Sequence, residues 1–322
     1  MIDTSVVISA FNEEDNLQEL YAELTRVMSG LGISYELLFV DDGSTDRSFE
    51  LLRRFHDSDQ HVRVIRFARN FGQQAANAAG LRLARGKSIL LIDADLQTPP
   101  SEIPKLRAKL LEGHDVVYGV RRHRPVPFYR RMGTIVVNWF LRKVTGVNVP
   151  DAATSFLAID RKLVDEVNLL NEKTRYLCGY LAWLSYGRYA AIPVEHVPRK
   201  HGQSKYTLWR LIELTLTLII HYSNAPLALA FSLGLALIVG GAATLIWALA
   251  SAGKGFTETL MGTVIILAGV QLVCLGILGE YIGRIYNETR DRPPYVIREV
   301  LDHGTRDLNA PVGAPTNALE RS

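Results

Sequence analysis

At 322 residues the chain can hold one large domain, or a medium domain joined to something smaller. Its formal charge of +3, without a long basic run, gives no electrostatic footprint for nucleic acid. The two cysteines, Cys178 and Cys274, exclude a disulfide framework or a zinc cluster built on thiolates, which fits a cytosol-facing protein.

Ser5–Ser9 reads as a first, short apolar strand; the apolar run Ser5–Ala10 has no cationic region before it and is too short for a signal peptide. Asn12 then stands where it would cap a helix, with Glu13, Glu14 and Asp15 filling the first turn. Leu17, Leu20, Tyr21, Leu24, Val27 and Met28 follow at helical spacing. Glu36–Val40 is the next predicted strand, ended by Asp41-Asp42-Gly43-Ser44. Val62–Phe67 reads as a third strand, Gly72–Ala84 as an alanine-rich helix, and Ser88–Ile92 as a fourth strand closing on Asp93-Ala94-Asp95. A further strand is expected at Asp115–Gly119. Strands alternating with helices argue for an α/β fold with a mainly parallel sheet, whose ligands bind beyond the carboxyl ends of the strands.

The composition changes near residue 207. Tyr206–His221 suits an interfacial amphipathic helix, with a plain buried helix as the alternative. Ala225–Ala250 and Thr259–Gly279 carry no charge, and each is long enough, at about 20 residues, to cross roughly 30 Å of hydrocarbon. A buried soluble hairpin is the bland alternative to a transmembrane one. Arg199, Lys200, Lys205 and Arg210 precede the first run, and Arg284, Arg290, Arg292 and Arg298 follow the second, whereas the loop Ser251–Glu258 offers only Lys254. The excess of cations puts both termini and the large domain on the cytoplasmic side. The expected organisation is therefore a domain over 1–206, an interfacial helix over 207–222, two spans within 223–280, a cytoplasmic segment over 281–302 and a disordered tail over 303–322.

Three successive strands end in polar or acidic clusters, Asn12/Glu13, Asp41/Asp42 and Asp93/Asp95, and that convergence is the strongest pointer to a site. On an extended strand Asp93 and Asp95 would point the same way. Two such anions raise each other's pKa unless a cation sits near them, and hard oxygen ligands suit Mg²⁺ or Mn²⁺ shared with a substrate diphosphate. A solvated turn is the alternative. Gly86-Lys87-Ser88 imitates the end of a phosphate-binding loop, but position 81 is leucine and the tripeptide enters a strand where that motif requires a helix.

Val7–Glu14, Val40–Asp46, Arg69-Asn70-Phe71-Gly72, Asp93–Pro100 and Gly202-Gln203-Ser204-Lys205-Tyr206 occur in this order, and the likeness continues to Gly279–Tyr286. Together they resemble the polyprenyl-phosphate glycosyltransferases of glycosyltransferase family 2, over roughly residues 5–298. The resemblance implies a Rossmann-like nucleotide-sugar domain of the GT-A type, a divalent metal, Mg²⁺ or Mn²⁺, and inverting transfer from a nucleoside-diphosphate sugar to a polyprenyl phosphate such as undecaprenyl phosphate. It also implies a multi-pass protein of the inner (plasma) membrane, in contact with the bilayer and assembled as a homo-oligomer, a tetramer by family likeness. Phe11, Glu13 and Asp41 would contact the nucleoside, and Asp93 and Asp95 would hold metal and diphosphate with Gln97 in support. Arg121, Arg124, Arg130, Arg131 and Lys205 are candidate phosphate ligands; for each arginine an exposed or membrane-facing cation is the alternative, while the Gly-x-Ser-Lys setting of Lys205 matches the family just before the membrane helix. Asp151 matches an aspartate placed at the acceptor, where positioning is favoured over base catalysis, with a structural loop aspartate as the alternative. Two departures stand out: relatives often have proline where Ser9 stands, and often arginine soon after the proline matching Pro226. No Gln-x-x-Arg-Trp motif occurs, which disfavours a processive polysaccharide synthase, and the Asp93/Asp95 pair disfavours a non-catalytic scaffold.

Overall fold

The computed structural model describes residues 2–121, 153–169, 177–197, 225–250, 256–289 and 293–304. Contacts divide the chain into two compact units, one of Met1–Pro125, Val149–Gln203 and Pro293–Ser322, the other of Val126–Asn148 and Ser204–Arg292.

Among the described residues the first unit has eight strands: β1 (Thr4–Ala10), β2 (Tyr35–Asp41), β3 (Val62–Phe67), β4 (Ser88–Asp93), β5 (Val116–Arg121), β6 (Ala153–Asp160), β7 (Tyr189–Val194) and β8 (Ile297–Leu301). They form one sheet in the order β7-β5-β6-β4-β1-β2-β3-β8. β4, β1, β2 and β3 are parallel neighbours, as the alternating pattern requires. The sheet is mixed beyond them: β6 runs antiparallel to β4 and β5, and β8 runs antiparallel to β3. Every residue of β1 and β2 is buried, the condition of central strands covered on both faces.

Helices α1 (Glu14–Gly30), α2 (Ser48–Ser58), α3 (Gln73–Leu83), α4 (Ile103–Leu111), α5 (Arg161–Leu169) and α6 (Leu177–Leu184) are the α-helices of this unit among the described residues. α1 buries Leu17, Leu20, Leu24 and Met28, the stripe its periodicity predicts. Asn12 does not cap it: the residue before the helix is Glu13, without a side-chain cap, because the Asn12 side chain is taken by the neighbouring loop. α3 packs against β1 at Gly80, where a Cβ would lie 2.1 Å from Val7 Cγ1, so only glycine lets the two backbones approach this closely. Gly86 donates its N–H to Ser5 Oγ at 2.7 Å and leads directly into β4; it belongs to the floor of the sheet, as a phosphate loop would not.

Among the described residues the second unit contains two apolar helices, α7 (Ala225–Ala250) and α8 (Phe256–Thr289). Phe231, Ile238, Val239, Ile246, Leu272 and Val273 are all more than 60% exposed. Within α8, Ile266–Gly283 is long and apolar enough to cross a membrane; Ala230–Ala243 is a shorter apolar stretch of α7. The interfacial helix expected over 207–222 and the tail from 305 onward lie outside the described residues.

Candidate active site

The register of the central strands brings three of the predicted clusters to one edge. Ser9 lies opposite Asp93, and Ala10 opposite Asp41, so the carboxyl ends of β4, β1 and β2 finish side by side. The ladder continues past them, with Asp42 N bonded to Ala10 O at 2.9 Å and Ala94 N to Ser9 O at 3.2 Å.

The loops after β1 and β2 are tied to each other by nearly every polar residue they carry. Ser44 Oγ accepts from Asn12 N at 3.0 Å, Asn12 Oδ1 accepts from Thr45 N at 2.8 Å, and Ser48 Oγ accepts from Glu13 N at 2.9 Å. Asp46 accepts from Ser48 N at 2.9 Å and Glu14 N at 3.3 Å. Asn12 adopts φ +55° there, a left-handed conformation that asparagine tolerates better than most residues. Phe11, beside it, is 42% exposed, leaving an aromatic face at the mouth of the site.

The adjacent carboxylates of Asp41 and Asp42 do different work. Asp42 accepts the backbone N–H groups of Phe71 (2.7 Å) and Gly72 (2.8 Å), so it fixes the loop Arg69–Gly72. The same loop lies so close to Gly43, at φ +70°, that a Cβ would approach Arg69 C to 2.5 Å. Asp41 is wholly buried; Oδ1 accepts from Ser44 N at 3.0 Å. Its Oδ2 has no hydrogen-bond partner among the described residues, with Arg66 Nε 3.5 Å away. Burial pushes both carboxyls above their ordinary pKa, opposed at Asp41 by Ser44 and Arg66 and at Asp42 by the two amides.

Asp93 and Asp95 do not share one strand face, because β4 ends at Asp93 and Ala94-Asp95 form a turn. Asp93 Oδ1 accepts from Gln73 Nε2, at the start of α3, at 2.5 Å, and Oδ2 accepts from Ser155 Oγ on β6. Asp95 accepts from Gln97 twice, from the backbone N–H at 3.1 Å and from Nε2 at 2.7 Å. Leu96 between them is buried and held at φ +57°, a region strained for a bulky side chain, so that the chain turns back on Asp95. Val197 N donates to Gln97 O at 2.8 Å and pins the far side of the turn. Burial raises Asp93 to about 6; the Asp95 charge adds to that, while the Ser155, Gln73 and Ser9 hydrogen bonds oppose it.

These residues suit a hard divalent cation. No group of three or more His, Cys, Asp or Glu gathers among the described residues. The chain would thus offer the Asp93 and Asp95 carboxylates and leave the other positions to water and diphosphate, a division Mg²⁺ and Mn²⁺ commonly accept.

Arg121 ends β5, which runs in the same direction as β4, so its backbone reaches the same edge of the sheet. Arg124, Arg130, Arg131, Asp151 and Lys205 lie outside the described residues. Gln73 and Ser155 escaped the sequence reading. Gln73 directly follows the Arg69–Gly72 stretch, a usable signal, whereas Ser155 sits on a strand whose pairing with β4 no local pattern announces.

A family model described as Glycosyl transferase family 2 matches residues 5–167, and one described as GtrB C-terminal hairpin matches residues 225–285. An uncharacterized glycosyltransferase of Synechocystis sp., sll0501, is 36% identical over 306 residues, spanning 93% of this chain and 96% of the relative. YkcC of Bacillus subtilis, also an uncharacterized glycosyltransferase, is 37% identical over 308 residues, spanning 92% and 94%. The undecaprenyl-phosphate 4-deoxy-4-formamido-L-arabinose transferase of Salmonella paratyphi B is 36% identical over 305 residues, spanning 92% and 93%.

Proposed function

Because the chain belongs to glycosyl transferase family 2, with a C-terminal hairpin of the GtrB kind, we propose that it moves a sugar from a nucleoside-diphosphate donor onto a polyprenyl phosphate at the cytoplasmic face of a membrane. The observation that carries this reading is the presence in one chain of a strand-end carboxylate site and two exposed apolar helices. The Salmonella relative is named for undecaprenyl phosphate, and we carry that acceptor class to this chain.

In this reading Phe11 lies against the nucleoside base, and Asp41 Oδ2, which faces Arg66 but accepts no hydrogen bond among the described residues, accepts a base N–H. Glu13, next to the cross-tied loops, lies on the same side. Asp93 and Asp95 would hold the divalent ion, with Gln97 fixing Asp95; when bound, the ion neutralises the diphosphate as it leaves. An oxygen of the acceptor phosphate forms the new bond to the anomeric carbon, the bond from that carbon to the diphosphate oxygen breaks, and its electron pair leaves with the diphosphate. Attack from the opposite face inverts the anomeric centre. A phosphate monoester has its second pKa at about 6, so the acceptor is already mostly dianionic at neutral pH and needs no proton removed. Asp151 therefore positions acceptor or sugar, and Arg121, Arg124, Arg130, Arg131 and Lys205 bind the phosphates.

Incubating the full-length protein with undecaprenyl phosphate and a panel of UDP- and GDP-sugars tests the reading and identifies the donor. A lipid-extractable sugar phosphate from one donor supports it; release of free sugar alone from every donor contradicts it.

A further inference from the structure

The loop Arg69–Gly72 and Gln73 join the two halves of the proposed donor site, because Asp42 holds the amides of Phe71 and Gly72 while Gln73 reaches Asp93. What holds that loop from its outer side comes from the far end of the sequence. β8 pairs with β3, Phe67 lying opposite Ile297 after an irregularity between Arg66 and Phe67. Beyond the ladder, Ala68 N donates to Val296 O at 2.9 Å. The Tyr295 ring stacks on Phe67, with centroids 5.0 Å apart and planes 8° from parallel. Phe67 meets Phe71 edge to face at 5.8 Å, and the Arg69 guanidinium lies over the Phe71 ring at 4.9 Å. An unbroken line of ring contacts thus runs from Tyr295 to the residue whose amide Asp42 holds.

We propose that Tyr295 is a positioning residue for the nucleotide-sugar site, acting through Phe67 and Phe71 on the Arg69–Gly72 loop. The proposal rests on the donor reading above. It assigns the segment that follows α8 in sequence a part in setting donor affinity, beyond covering the β3 edge. Arg53 with Glu299 (2.6 Å) and Arg63 and Arg85 with Asp302 (3.3 and 2.5 Å) hold the same segment along its length, so the stack has a fixed base.

The test uses the full chain carrying Tyr295→Ala, Tyr295→Phe or, in the same segment and without a ring contact among the described residues, Arg298→Ala. An aromatic pair of ordinary strength corresponds to about a 2- to 12-fold change in an equilibrium constant. Tyr295→Ala should weaken binding of the free nucleoside diphosphate by that factor and raise the donor KM in step. The KM for lipid phosphate should stay constant, Tyr295→Phe, which keeps the ring, should lose less donor affinity than Tyr295→Ala, and Arg298→Ala should match wild type. Hydrogen exchange in the peptide spanning Phe71 and Gly72 should quicken in Tyr295→Ala and stay at the wild-type rate in Arg298→Ala. This readout needs no activity, so it stands even if the transfer reaction proves different. If Tyr295→Ala does not fold, Tyr295→Leu, which keeps apolar bulk and loses the stack, takes its place. Unchanged exchange and unchanged nucleotide affinity in the folded variant overturn the proposal and leave the transferase reading intact.

Discussion

The carboxylate of Asp42 receives the backbone N–H of Gly72 at 2.8 Å, while its neighbour Asp41 is buried with one oxygen lacking a hydrogen-bond partner among the described residues. Both oxygens of Asp42 are taken up by the Phe71 and Gly72 amides, whereas Asp41 Oδ2 has only the Arg66 guanidinium near it, and we assign that oxygen to the ligand. Asp42→Ala leaves the Phe71 and Gly72 amides without their acceptor and should cost about 1–3 kcal/mol of stability. Asp41→Asn removes a charge that burial disfavours, so it should leave the melting temperature unchanged or higher. The same change should weaken nucleotide binding by about 10- to 150-fold, the worth of a charge-assisted hydrogen bond. Thermal unfolding alongside calorimetric nucleotide titration separates the two roles. Equal stability loss in both variants would refute the division.

Asp93 gives the site a pH dependence whose sign follows from its direction of shift. Its pKa in the folded chain is raised from 3.8 to about 6, chiefly by burial. A carboxyl raised on folding costs nothing while both states are protonated. The cost appears as pH climbs past 3.8 and is complete above about 6, reaching at most about 3 kcal/mol. In chelator and without nucleotide, Asp93→Asn should therefore gain stability over wild type between these values and keep a constant advantage at higher pH. Denaturation midpoints of both proteins at pH 4, 5, 6 and 8 check this, and a constant difference across the series would show that Asp93 does not titrate there.

How the sequence announces this fold depends on how local the signal is. The runs at Val62–Phe67 and Ser88–Ile92, with polar residues directly after the strands, are local patterns, and the observed strands match them to within a residue. The convergence of three strand ends was legible for the same reason, since parallel α/β order places those ends on one edge. β8 was not legible, because Ile297–Leu301 finds its partner β3 more than two hundred residues earlier and nothing in its own composition names that partner. The separate roles of Asp41 and Asp42 were hidden too. Both follow the same apolar strand, and only the tertiary approach of Phe71 and Gly72 decides which carboxylate is consumed. The expected common direction of Asp93 and Asp95 failed because the chain leaves extended geometry at Ala94, with Leu96 forced to positive φ.

Lys205 is proposed as an acceptor-phosphate ligand because it stands in Gly202-Gln203-Ser204-Lys205, just before the apolar helices. Lys205→Ala should raise the KM for lipid phosphate about tenfold or more, the value of one charge-assisted contact, with nucleotide affinity held near wild type. Steady-state kinetics in vesicles with the lipid varied give the answer, and unchanged lipid kinetics would remove Lys205 from the site.

Topology carries its own internal control. Asn287-Glu288-Thr289 at the end of α8 matches an N-glycosylation acceptor, yet the flanking cations argue for a cytoplasmic position. Asn287 should stay unmodified in glycosylating microsomes, whereas an acceptor engineered into a lengthened Ser251–Glu258 loop should be modified. Modification at Asn287 would reverse the hairpin.

The most direct test of the central claim follows the sugar itself. Full-length protein in vesicles is given undecaprenyl phosphate, Mg²⁺ or Mn²⁺ and a donor labelled in the sugar, and the organic extract is analysed for a lipid-linked sugar monophosphate. Wild type should form that product with one equivalent of nucleoside diphosphate released. Asp95→Asn should lower the rate by at least about 100-fold, and excess chelator should stop the reaction until metal is restored. Product formation that needs no lipid phosphate, or an Asp95→Asn variant with wild-type turnover in excess chelator, would contradict the account.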